Sequence, residues 1–150
     1  MRTCILGLAA VAALAMVEAC SAGNAGNAAN GSDPARKNAA VEKTSQGDLT
    51  IQPINHSAIR FEYKGKQYYV DPAGKAEWDK MPKADAIFIT HEHFDHLAPK
   101  VIDQIKKPGT VIYASVGAAK KAGFGEVIEP GQTKNVLDIT VEAVPAYNLT

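Results

Sequence analysis

The chain has 150 residues, with 16 basic side chains against 16 acidic ones and a net charge of zero. That balance excludes the basic field of a nucleic-acid binder, and the length suits one domain. Both cysteines, Cys4 and Cys20, fall in the first 20 residues, so the rest of the chain has no thiolate for catalysis or metal binding and no disulfide.

Taken in order, the chain begins with a targeting segment. Arg2 precedes an apolar stretch from Cys4 to Val17, too short to span a bilayer and long enough for the core of a signal peptide. Val17-Glu18-Ala19-Cys20 resembles a bacterial lipobox, with Glu18 outside the pattern. The resemblance implies a lipidated Cys20; without lipidation the segment is a plainly cleaved export signal. Residues 1–20 are therefore expected to send the chain to the periplasm or a membrane surface, with a lipid anchor as the only membrane contact. Residues 21–47, dominated early by Asn, Ala, Gly and Ser, read as a flexible tether. A domain is expected over 48–150.

Within that domain, residues 49–54 alternate apolar and polar side chains, a strand pattern. Residues 58–63 and 67–70 read as a hairpin around Lys64-Gly65-Lys66, ended by Asp71-Pro72. Residues 84–90 are continuously apolar at Ile87, Phe88 and Ile89, as in a strand buried on both faces. Residues 98–107 predict a helix, with Pro99 in its first turn and Val101, Ile102 and Ile105 on one face. A strand over 110–114, a short helix capped by Ser115 and closed by Gly123, and strands over 127–128 and 136–144 complete the order.

Between the apolar strand and the first helix lies His91-Glu92-His93-Phe94-Asp95-His96, holding three of the chain's four histidines. Imidazole and carboxylate are the usual ligands of zinc and similar divalent metals. His91 and His93, two apart on near-extended chain, point the same way and can share one ion. Asp95 and His96 follow as the chain turns and are placed for a second ion about 3.5–4 Å away, the spacing of two-metal hydrolases. Glu92 is expected to be exposed or an outer partner, and Phe94 to join the core. Metal-assisted hydrolysis is the leading reading.

The run from Thr90 to Leu97 resembles the His-x-His-x-Asp-His signature of the metallo-β-lactamase superfamily. The likeness extends over roughly 49–150. Asn55-His56-Ser57 looks like the Gly-His-Ala-Ser turn of the branch called zinc-dependent hydrolases of β-lactamase fold, which includes the ascorbate-phosphate lactonases. Asp71-Pro72 looks like its Asp-Pro at the end of the third strand, and Pro145-Ala146-Tyr147-Asn148 like the approach to its next ligand. The resemblance implies an α/β fold, α+β-like in its hairpin-first order. More closely, it implies the N-terminal half of an αββα sandwich, a mixed sheet with helices on one face.

By the same resemblance, His91 and His93 hold one metal, and Asp95 and His96 a second. Asp95 also steers or deprotonates the nucleophilic water, Asp71 stands behind a ligand, and His56 lies at the rim. On the residues alone Asp71 reads equally as a strand-ending aspartate, and His56 as a surface histidine. Zinc is implied, with manganese or iron compatible; the substrate is a small ester, lactone or phosphodiester. The family's later histidine, bridging aspartate and last histidine have no counterpart after His96. The chain is therefore expected to be a truncated form, its missing C-terminal half leaving a sheet face uncovered. The alternative is a non-catalytic exported lipoprotein module binding a metal or partner through an incomplete site.

Overall fold

The computed structural model describes residues 7–11 and 37–146. The expected export segment, with Cys20, lies outside the described residues except for a strand, β1 (Gly7–Val11), and so does the expected tether up to residue 36. Among the described residues no helix is long and apolar enough to cross a membrane.

The main sheet has seven strands in chain order: β2 (Ala40–Thr44), β3 (Gly47–Asn55), β4 (Ala58–Tyr63), β5 (Lys66–Val70), β6 (Ala86–Ile89), β7 (Val111–Ala114) and β8 (Glu126–Val127). From β2 to β5 neighbours run antiparallel, and from β5 to β8 parallel. Antiparallel pairs need only tight turns, whereas the parallel steps need crossovers. A 3₁₀ turn (Trp78–Lys80), α1 (Pro99–Ile105) and α2 (Val116–Ala122) lie in these crossovers.

β6 explains the layering. Its four residues are all buried, and their side chains alternate between faces. Ile87 and Ile89 join Tyr69, Trp78, Ile102, Ile105 and Ala118 in a core between sheet and helices. Ala86 and Phe88 join Tyr63, Tyr68, Val136, Val141 and Ala143 in a second core on the opposite face. The fold is thus a mixed sheet with its helices on one face.

Three expectations change. The sheet begins at Ala40, before Asp48, because the polar end of the expected tether pairs with β3 from Ala40↔Ile51 to Thr44↔Gly47. Its side chains are mostly exposed, so backbone pairing rather than composition recruits it. Residues 136–144 are not one strand: they hold the end of β9 (Thr133–Val136), the turn at Leu137-Asp138 and most of β10 (Ile139–Ala146) of a hairpin. Leu137 breaks the run with a left-handed φ of 54°, rare for a branched apolar side chain. Finally, the face opposite the helices is not bare, since Val136 of β9 and Val141 and Ala143 of β10 pack there in the second core.

α2 is capped as its sequence suggests. The Ser115 hydroxyl accepts the Ala118 amide at 3.3 Å, and Gly123 closes the helix at φ 75°. Ser115 is buried, so Ser115→Ala is expected to lower stability by about 1 kcal/mol, the typical worth of such a cap, measurable as a drop in the urea midpoint at unchanged slope.

Candidate metal centre

The histidine run leaves the C-terminal end of β6, where open α/β sheets place ligands. It does not continue as a strand. The amides of His96 and Leu97 both donate to the His93 carbonyl, at 3.0 and 2.8 Å, so residues 93–97 form one tight turn. Leu97 takes the core position and Phe94 is thrown outward, 85% exposed, against the expectation that it packs inside. Glu92 is half-buried, and its carbonyl accepts the Lys121 ammonium of α2 at 2.7 Å.

The turn brings the rings together. The His91 ring centroid lies 4.8 Å from that of His93 and 3.8 Å from that of His96. His96 is therefore nearer to His91 than the division into two separate ligand pairs suggests. Burial disfavours a charged His91, and the neighbouring His96 adds to the effect, so its pKa is held below the usual imidazole value and the ring is neutral at pH 7, the form that binds metal.

Asp71 lies beneath these rings. It is 2% exposed, with a left-handed φ of 47°, a conformation aspartate tolerates better than most residues. Its Oδ1 accepts the Thr90 amide at 2.7 Å, and its Oδ2 accepts the Thr90 hydroxyl at 2.6 Å and lies 2.7 Å from His96 Nδ1. An acceptor-only carboxylate assigns the proton to His96 Nδ1, leaving the Nε2 lone pair outward. Thr90 repeats the device. Its hydroxyl hydrogen is committed to Asp71, so its oxygen accepts from His91 Nδ1 at 3.1 Å, and His91 Nε2 is left free as well. Such partners behind the imidazoles fix tautomer and ring orientation in metal sites. Thr90, not singled out from the sequence as a site residue, is a link in this network; its one sequence signal is its place immediately before the first histidine.

His56 reaches the site from the turn between β3 and β4. Its Nε2 lies 2.9 Å from Asp95 Oδ2, and the Ser57 hydroxyl donates to the Asp95 carbonyl at 3.0 Å. Asp95 Oδ2 is also 3.7 Å from His96 Nε2. Desolvation acts to raise the Asp95 pKa, but its own backbone amide and the His56 hydrogen bond outweigh it and hold the carboxyl below its ordinary range. Among the described residues, one group of three side chains brings its donor atoms within 4.8 Å of one another: His56, Asp95 and His96. The donors are imidazole and carboxylate, and His96 is held from behind through Nδ1 by Asp71, which fits a divalent ion.

Residues 50–150 match the family model of the beta-lactamase superfamily domain. A UPF0173 protein of Pyrococcus abyssi is 34% identical over 103 residues, covering 63% of this chain and 47% of that protein. A UPF0173 metal-dependent hydrolase of Aeropyrum pernix is 32% identical over 94 residues, 56% of this chain and 37% of that one. The chain thus spans about half the length or less of these relatives. The crystal structure of a Parabacteroides distasonis protein, provisionally named a metal-dependent hydrolase, matches at TM-score 0.71 and 42% identity, over 75% of this chain and 52% of that one.

Proposed function

The chain belongs to the beta-lactamase superfamily, and on that premise we propose that it carries the metal-binding part of a metal-dependent hydrolase. The observation that supports this most is the Asp71–Thr90 network, which leaves the Nε2 atoms of both His91 and His96 free beside an ionised Asp95. His91 and His93 would hold one divalent ion, and Asp95 and His96 a second. The imidazole-rich donor set favours zinc and is compatible with manganese or iron. When bound, a divalent cation supplies Lewis acidity toward the scissile group.

Asp95 is the proposed catalytic residue. Its carboxylate is one-third exposed, ionised at neutral pH, and oriented by Ser57 and His56. Oδ2 can therefore orient an attacking water and accept its proton. By the family resemblance, the proposed substrate is a small ester, lactone or phosphodiester. The same proposal includes export through residues 1–20, with Cys20 as lipid attachment point, and completion of the site by sequence corresponding to the part of the relatives this chain does not span.

Metal analysis tests the reading. The purified chain is expected to bind a divalent metal, and Asp95→Ala to weaken binding by more than about 100-fold, beyond the 10–100-fold typical of outer partners. Hydrolysis of p-nitrophenyl esters and bis-p-nitrophenyl phosphate should fall with it. A chain that takes up no zinc, manganese or iron would sink the proposal.

A further inference from the structure

We infer that His56 is itself a metal ligand, completing with Asp95 and His96 a three-donor divalent-cation site. This rests on the metal-binding reading of the loop and assigns a ligand outside it. Two atoms bound to one ion at about 2.1 Å can be at most about 4.2 Å apart. His56 Nε2 to Asp95 Oδ2 is 2.9 Å, Asp95 Oδ2 to His96 Nε2 is 3.7 Å, and all three donors lie within 4.8 Å. A small side-chain adjustment, with no backbone movement, brings them onto a common ion.

Two further features favour ligation over a rim position. His56 adopts a left-handed φ of 47°, a conformation uncommon outside glycine that concentrates at functional sites. The His56 ring, though exposed, reaches Asp95 from that turn, with Nε2 2.9 Å from Oδ2. The Ser57 hydroxyl then fixes the turn to the loop through the Asp95 carbonyl, holding the third donor in register with the other two. The His56 ring centroid stands 5.9 Å from that of His96, edge-on. Facing the Asp95 carboxylate, Nε2–H donates; binding an ion through Nε2 uses the other neutral tautomer, in which that proton sits on Nδ1 and the ring carries no net charge change. The ion then has two imidazole nitrogens and one carboxylate oxygen, with a fourth position open to substrate or water, the donor number of a catalytic zinc site.

The test uses the full chain, stripped with chelator and titrated with Zn²⁺ and Co²⁺, reading affinity, stoichiometry and the visible Co²⁺ spectrum. His56→Ala and His56→Gln are both informative, because the His56 side chain is 64% exposed and neither should unfold the chain; thermal melting of the chelated proteins checks this. Both variants are expected to lose at least tenfold in affinity at one site and to change the Co²⁺ spectrum. Glutamine can still donate a hydrogen bond to Asp95 but offers no imidazole nitrogen. If His56→Gln restores wild-type binding and spectrum, His56 is only a hydrogen-bond partner and the inference fails. If both variants match wild type, it fails in the same way while the metal-binding reading stands. If the wild type binds neither ion, the metal-binding reading fails and takes the inference with it.

Discussion

Asp71→Asn is expected to leave the chain folded and to lower its metal affinity by about 10–100-fold, the usual cost of losing a partner behind a metal-binding histidine. Asparagine tolerates the left-handed backbone at this position and keeps one oxygen for the Thr90 amide. It cannot accept from both the Thr90 hydroxyl and His96 Nδ1 as the carboxylate does. The amide nitrogen donates instead, which favours the His96 tautomer with its proton on Nε2, the atom needed for the ion. Isothermal titration with Zn²⁺, beside a urea melt of the chelated protein, separates the two effects. Affinity within twofold of wild type would show that Asp71 does not govern the tautomer. Asp71→Ala goes further: it strands the two buried Thr90 donors and the partly buried His96 Nδ1, a buried donor costing about 1–3 kcal/mol if left without an acceptor, and the chelated protein is expected to lose several kcal/mol.

Ile89→Ala is the second change with a large expected effect. Ile89 is fully buried in the helix-side core, and its carbonyl accepts the Ser115 amide at 3.1 Å. Truncation removes buried methyl groups beneath both helices and leaves a cavity, with an expected loss of about 2–5 kcal/mol. Against a domain stability of about 5–15 kcal/mol this is a large fraction, readable as a lower urea midpoint at unchanged slope. Because Ile89 is the last β6 residue before Thr90, metal affinity should fall as well, since the network can drift into the void. A loss below 1 kcal/mol would mean that the helices close over the cavity.

Elements with one strong local signal were legible in the sequence. The strand at Ala58–Tyr63 and the cap at Ser115 have the bounds that alternation and capping chemistry suggest. β2 was not legible, because an edge strand held by backbone bonds needs no hydrophobic pattern. The break at Leu137 was hidden because nothing in a leucine announces a left-handed φ. Within the site, the ligand types stood out by their density. The placement of Phe94 did not, because it depends on a helical turn that the extended reading of His91 and His93 conceals. The pairing of His56 with Asp95 spans 39 positions, a contact that only the β3–β4 turn and the exit of β6 bring about.

Asp71 has one more consequence, for the mobility of the loop. Its amide donates to the Phe88 carbonyl at 2.9 Å, so in a regular parallel ladder the next bond would run from the Thr90 amide to the carbonyl of residue 71. The left-handed turn diverts the backbone, and the Asp71 carboxylate accepts that amide in its place. The β5–β6 ladder is thus extended by one rung made from a side chain, past the last rung that backbone alone provides. The Thr90 amide should therefore exchange its hydrogen as slowly as the interior of the sheet. Freedom of movement then starts at His91, and the histidines are carried on a rigid stem.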